Sequence, residues 1–251
     1  MIKQGRLFVG EEYFHHHAFE ILEAHKELKT KFSNALNGSI QISPRVKQTK
    51  GIESFAIKAD HLNVELRNHL KINLREKIKF EVVEEHGVFY FSAEKSSIGG
   101  FDFAILNHRK NLIALRNICF GNLRYDQGTR KWNRFLESNP ELMEVAEEIL
   151  NKVEIGRNLE EKHEKGSSPL IVGEIQFGNW ALAYRDFFKV LKADVQNSID
   201  CLIYIVPTGN LEKMLSDGIV TYEKTKTIIQ DFAKVISIPV WLVGIDMEIM
   251  Q

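Results

Sequence analysis

Glu174 and Gln176 stand two residues apart in Leu170-Ile-Val-Gly-Glu-Ile-Gln-Phe177, an otherwise apolar stretch. Side chains alternate faces along a strand. One face would carry Ile171, Gly173, Ile175 and Phe177, and the other Leu170, Val172, Glu174 and Gln176. The second face begins apolar and ends polar. A carboxylate inside an apolar strand is costly to bury unless it is paired or binds a metal. At a strand end, with a second carboxylate from a neighbouring strand, it forms an oxygen cage for Mg²⁺. The metal lowers the pKa of a bound water and stabilises charge on a phosphate under in-line attack. That is metal-dependent phosphodiester hydrolysis. A polar strand end facing solvent explains the same pair equally well, because one Glu-x-Gln is a weak signal.

Other residues with chemical potential are less pointed. Arg185, Lys189 and Lys192 share a helical face and could reach phosphates, or form a solvated face opposite Tyr184, Phe187, Phe188 and Leu191. Arg124, Arg130, Lys131 and Arg134, with Tyr125 and Trp132, face one acid, Asp126; Arg45, Lys47 and Lys50 form a second basic stretch. These two stretches are the expected lining of a DNA cleft, and ordinary surface would look the same. His15-His16-His17 point in different directions on a helix and do not chelate as i, i+4 pairs do. Glu20, one turn on, could join a site. No glycine-rich phosphate loop, Gly-x-Ser-x-Gly elbow or zinc spacing occurs, which argues against nucleotide hydrolysis, serine hydrolysis and zinc chemistry.

The elements that must position Glu174 read most cleanly after Pro169. Residues 170–177 form a buried strand, and Asn179 caps a helix from Trp180 to Val195. A strand over 199–206, a short helix or turn over 210–218, a helix over 222–236 and a strand over 238–245 follow. Strand, helix, strand, helix, strand is an α/β layered core. Upstream, 11–36 reads as a helix ended by Asn37-Gly38, 39–50 as an exposed loop and 79–93 as a hairpin. Residues 101–106 and 111–120 read as two strands. Residues 140–152 read as a helix capped by Asn139, with Pro140 at its first position.

The succession Gly173-Glu-Ile-Gln-Phe-Gly-Asn179, Tyr184-Arg-Asp-Phe-Phe188, Asp200-Cys-Leu-Ile-Tyr-Ile-Val-Pro207, Met214-Leu-Ser-Asp-Gly-Ile219, Tyr222-Glu223 and Pro239-Val-Trp-Leu-Val-Gly-Ile245 resembles the C-terminal half of type II restriction endonucleases of the BglII, BstYI and BamHI group. These have the PD-(D/E)XK nuclease fold. The similarity spans about residues 170–246; His17-Ala-Phe-Glu-Ile-Leu22 is weakly similar to the group's opening helix. The resemblance implies an α/β fold, a mixed β-sheet core flanked by helices. It also implies Mg²⁺-dependent, sequence-specific cleavage of double-stranded DNA. Glu174 matches the metal-binding Glu, and Gln176 the position usually held by Lys. Gln is neutral, so it can hydrogen-bond a water or phosphate but not lower a water's pKa by charge. The family's upstream Asp lies a short hairpin before the Glu, and no Asp falls between Asp126 and Glu174. Asp102, at a strand start after Gly99-Gly100, is preferred as the second metal ligand and makes 121–168 an insertion. Glu160 or Glu161 has the shorter spacing but sits in a charged connector. The resemblance further implies a homodimer that cuts a palindrome, a site related to GATC-centred sequences and a cognate DNA methyltransferase.

The whole chain agrees with these bounds. Its 251 residues are 44% hydrophobic and 27% charged, which suits one endonuclease domain over 1–251 with 121–168 as a helical arm. A net charge of −1 does not advertise a nucleic-acid binder, but an acidic site and a basic cleft cancel in the sum. No apolar run is long enough for a membrane span, the first residues lack a signal-peptide stretch, and Cys119 and Cys201 read as reduced thiols. The expected location is cytoplasmic. A non-catalytic DNA-binding protein and a non-specific repair nuclease of the same fold are the alternatives.

Overall fold

The computed structural model describes residues 3–49, 51–75, 78–82, 100–121, 127–152, 168–194 and 199–250. Its centre is a seven-stranded mixed sheet in the order β2-β1-β9-β8-β7-β6-β5. The strands are β1 (Lys3–His15), β2 (Gly38–Ile42), β5 (Ile78–Val82), β6 (Phe101–Ile105), β7 (Ile171–Ile175), β8 (Cys201–Pro207) and β9 (Val240–Met250). β7, β8 and β9 run parallel, while β6 on one side and β1 on the other run antiparallel to their neighbours. A separate hairpin pairs β3 (Pro44–Thr49) with β4 (Ile52–Ile57).

The alternation expected of 170–177 is present and sorts the core into two layers. Ile171 and Ile175 join one apolar cluster with Leu22, Phe32, Leu36, Leu62, Leu66 and Leu70. Those residues come from α1 (Ala18–Ala24), α2 (Lys26–Leu36) and α3 (Ala59–Leu74). Leu170 and Val172 join a second cluster on the opposite face, with Phe187 and Val190 of α7 (Ala181–Asp194) and Ile228 and Ile229 of α9 (Tyr222–Asp231). The short α8 (Gly209–Met214) completes the C-terminal half, whose six elements fall where the apolar pattern places them.

The N-terminal half departs from expectation in three places. Residues 11–15 are strand, not helix: Glu11 to His15 pair with Gly244 to Val240 across β1 and β9. Phe14 and Ala18 fit a helical period by chance, and long-range pairing decides the state. Residues 39–50 are not a loop; β2 and β3 take up most of them. Residues 111–120 are helix, not strand, within α4 (His108–Phe120). Asn107 caps it by accepting from the Lys110 backbone N–H at 3.0 Å. The run Leu112-Ile-Ala-Leu115 is apolar all round because it is buried all round, and a short buried run does not reveal its period. Of the expected hairpin over 79–93, residues 79–82 belong to β5 and 83–93 lie outside the described residues.

Within 121–168, the described residues form α5 (Gly128–Ser138), a 3-10 turn (Pro140–Leu142) and α6 (Met143–Lys152). With α4 they share a third apolar cluster containing Leu112, Leu115, Trp132, Phe135, Ala146 and Ile149. Asn139 holds the N-cap position before Pro140 as expected, but its side chain makes no cap hydrogen bond and donates to Phe135 O at 2.9 Å. Cys119 and Cys201 are buried and unpaired, and burial pushes their thiols up to about 11 and about 12. Among the described residues no helix is long and apolar enough to cross a membrane.

Candidate functional site

Sheet topology brings Asp102 to Glu174 from far upstream. β6 runs antiparallel to β7 with Phe103 opposite Gly173. Asp102 therefore lies beside the C-terminal end of β7, where the Ile175 backbone N–H donates to its Oδ2 at 2.7 Å. Glu174 is 4% exposed and sits opposite Tyr204 of β8. Gly173 allows the strands their approach: a Cβ there would stand 1.9 Å from the Phe103 ring. Gly173→Ala should cost about 1–3 kcal/mol through overpacking and shift the strand that carries Glu174. Urea denaturation and a cleavage assay check this, and a variant with native stability and activity would refute it.

α7 supplies the other wall. Asn179 starts it as expected, accepting from the Ala181 backbone N–H at 2.9 Å. Asp186 and Lys189 then fall on the inner face with Ala183, Phe187, Val190 and Ala193. Asp186 Oδ2 accepts from Gln176 Nε2 at 2.9 Å and from the Tyr204 hydroxyl at 3.0 Å. Gln176 Oε1 accepts from the Gly178 backbone N–H at 3.0 Å. Lys189 Nζ donates to Gly100 O at 2.8 Å, lies 3.5 Å from Asp186 Oδ1 and makes an ion pair with Glu174 Oε1. That last contact is a buried ion pair, with both side chains almost wholly shielded from water. Arg67 of α3 donates to Asp102 Oδ1 at 2.8 Å and also pairs with Glu81.

The expected outward face of Arg185, Lys189 and Lys192 is thus corrected at its centre. Lys189 is buried, while Tyr184 and Phe188 are exposed, Phe188 at 66%. The signal for Asp186 and Lys189 was present, because both interrupt the apolar arc of this helix at inward positions. Arg67 and Tyr204 carried no comparable signal, since only the fold brings them here.

Charge is unevenly balanced. Burial pushes the Glu174 carboxyl well above the usual range; Asp102 and Asp186 add to the rise, and Lys189 opposes it. Burial also raises Asp102, against the Ile175 N–H, Arg67 and Lys189. Tyr204 is driven far up by burial and the same acids, so its phenol stays a donor. Asp102, Glu174 and Asp186, with the exposed Glu81, therefore face Lys189, Arg67 and the half-exposed Arg185. An acidic excess around a buried Glu174 carboxylate suits a divalent cation. Among the described residues no group of three His, Cys, Asp or Glu is poised to hold one. A two-carboxylate site fits Mg²⁺, which keeps several waters and takes few protein ligands.

Other expected positions lie elsewhere. His15 and His16 both hydrogen-bond Ile236 O, and Glu20 is exposed. Arg45 donates to Ser216 Oγ at 2.8 Å and Lys47 to Leu215 O at 2.8 Å, so both anchor the hairpin to the turn after α8. Arg130 and Arg134 lie exposed on α5. That helical arm joins the sheet through α4, whose Lys110 pairs with Asp200 at the end of β7 opposite Glu174. Lys50, Arg124, Tyr125, Asp126, Glu160 and Glu161 lie outside the described residues.

A family model described as restriction endonuclease BglII/BglIII matches residues 11–245. The structure is similar to that of restriction endonuclease BglII complexed with a DNA 16-mer, at 13% identity and a TM-score of 0.49, covering 93% of this chain and 74% of that one. Free BglII matches at 12% identity and a TM-score of 0.40, over 93% of this chain and 77% of that one. No curated protein matches the chain.

Proposed function

This chain belongs to the BglII/BglIII family of restriction endonucleases, which makes it a type II site-specific deoxyribonuclease, and from that premise we propose that it hydrolyses both strands of duplex DNA at a short sequence with Mg²⁺ held by Asp102 and Glu174. The observation that carries this reading is the buried Glu174 carboxylate beside the partly buried Asp102 at adjacent ends of β6 and β7, in an acidic excess that favours a dication. Bound there, Mg²⁺ would supply Lewis acidity at the phosphate and an acidified water.

The chain's own residues do the positioning. The Ile175 N–H and Arg67 orient Asp102. Gln176 gives one amide hydrogen to Asp186 and retains a second for a water or phosphate oxygen. Tyr204 and Gln176 together hold Asp186, which fixes α7 against the strand that carries Glu174.

Cutting a palindrome with one site per chain calls for two-fold symmetry, so the active species is read as a homodimer. The exposed Trp180, Tyr184, Phe188 and Phe232, packed edge to face along part of their row, support pairing of chains. The chain is read as one endonuclease domain over 1–251 with 121–168 as its arm, acting in the cytoplasm beside a DNA methyltransferase that protects the host.

The test is purified protein on unmethylated plasmid DNA, with Mg²⁺ and with EDTA. Discrete fragments only with Mg²⁺ are expected. A smear would replace this reading with a non-specific nuclease, and DNA binding without cleavage would replace it with a non-catalytic binder.

A further inference from the structure

Lys189 is a costly residue to place where it lies. An ammonium buried away from water is unfavourable unless paired, and a lysine on a helix ordinarily extends its stem so that the charge reaches solvent. Here the side chain is 3% exposed, its Nζ is 5.2 Å from the centre of the Phe101 ring, and it reaches Gly100 O, Glu174 and Asp186. A methionine would fill the same space without the charge. Neutralising Asp186 does not account for it, since Asp186 has Arg185 3.4 Å away and also accepts from Gln176 and Tyr204. The ammonium is nearer Glu174 than Asp186. Of the other cations, Arg67 is shared between Asp102 and Glu81 and the half-exposed Arg185 lies against Asp186, while Gln176 is neutral.

We propose that Lys189 is a catalytic residue, its ammonium pairing with a non-bridging oxygen of the scissile phosphate beside the divalent cation held by Glu174. This rests on the nuclease reading above and adds to it the residue that carries positive charge to the substrate. An ammonium in contact with the Glu174 carboxylate is also within reach of an oxygen bound to any ion on that carboxylate. Charge points the same way. Four carboxylates, counting the exposed Glu81, and three side-chain cations, counting the half-exposed Arg185, leave the network one negative, and a dication turns it one positive toward the phosphodiester. Without Lys189 that surplus disappears. Preorganised charge aimed at a developing oxyanion in a dry site is among the largest sources of rate acceleration.

The experiment uses the full chain and Lys189→Met. Single-turnover cleavage in saturating Mg²⁺ should fall about 10²–10³-fold. Mn²⁺ binding without DNA, read by calorimetry, should stay equal or tighten by up to about tenfold, because a like charge beside the ion is gone. Lys189→Ala should regain cleavage on addition of ethylammonium. Cleavage and Mn²⁺ affinity falling together, with no recovery by the amine, would overturn the proposal and leave Lys189 as a prop for Glu174. If Lys189→Met does not fold, Lys189→Arg decides. Retention of cleavage within about tenfold supports a role for the charge; complete loss in a folded protein opposes it. A wild-type chain that binds no Mn²⁺ and cuts no DNA would instead sink the nuclease reading itself.

Discussion

Glu174→Gln yields a protein that unfolds at higher temperature than the wild type and cuts no DNA. The two effects share one cause. Burial, Asp102 and Asp186 raise the Glu174 carboxyl well above its unfolded value, so the folded chain holds that proton more tightly than the unfolded chain does. The stability linked to that proton is fully present below the unfolded pKa and is lost as pH rises through the folded one. Above that point the native chain carries a buried carboxylate beside two other acids. The glutamine keeps the shape and removes the charge, leaving Asp102, Asp186 and Glu81 to face Lys189, Arg67 and Arg185. The gain should be about 1–2 kcal/mol, within the usual range for relief of a functional strain, and should widen with pH. Cleavage should fall by at least about 10³-fold, the several kcal/mol that a metal contributes to a phosphate transition state. Thermal melts in EDTA across pH 5 to 9 and a plasmid assay in Mg²⁺ check the pair. A variant less stable than wild type at high pH would contradict the account of Glu174, and an active one would remove it from the site.

Asp186→Ala should have the opposite character. Its removal takes the acceptor from Gln176 Nε2 and the Tyr204 hydroxyl and leaves Lys189 with one carboxylate fewer. Breaking a buried charged network from one side costs about 3–5 kcal/mol, because the partners stay buried and unpaired. Asp186→Asn keeps an acceptor and should lose roughly half as much. Urea titrations of the two variants give the comparison. Equal, small losses would mean that the network relaxes onto water and does not hold α7 in place.

Much of the C-terminal half was legible in the sequence because its elements are local and its periods clean. The alternation through Leu170–Phe177 separates two core layers, and Asn179 announces α7 with a side chain that does cap it. Asp102 was reached through resemblance and through Gly99-Gly100, and the antiparallel β6–β7 pairing sets it beside Ile175. What failed were segments whose state is decided from a distance. Residues 11–15 become strand because β9 offers them a partner, and Leu112–Leu115 become helix because α5 and α6 bury every side. The inner face of α7 was misjudged for a different reason. Charged residues are rarely buried unless paired, so Lys189 reads as surface until its acidic partners are known.

The sheet's central seam has a kinetic consequence. Gln4 sits opposite Met250 and His15 opposite Val240, so β9 gains its second neighbour only when chain segments separated by most of the sequence meet. Closing so large a loop is slow compared with forming helices or hairpins. Until β1 docks, β9 keeps a long apolar edge open beside β8, a template for pairing with another chain. Refolding from denaturant should therefore be slower and less complete as protein concentration rises, with aggregation competing against a single late docking event.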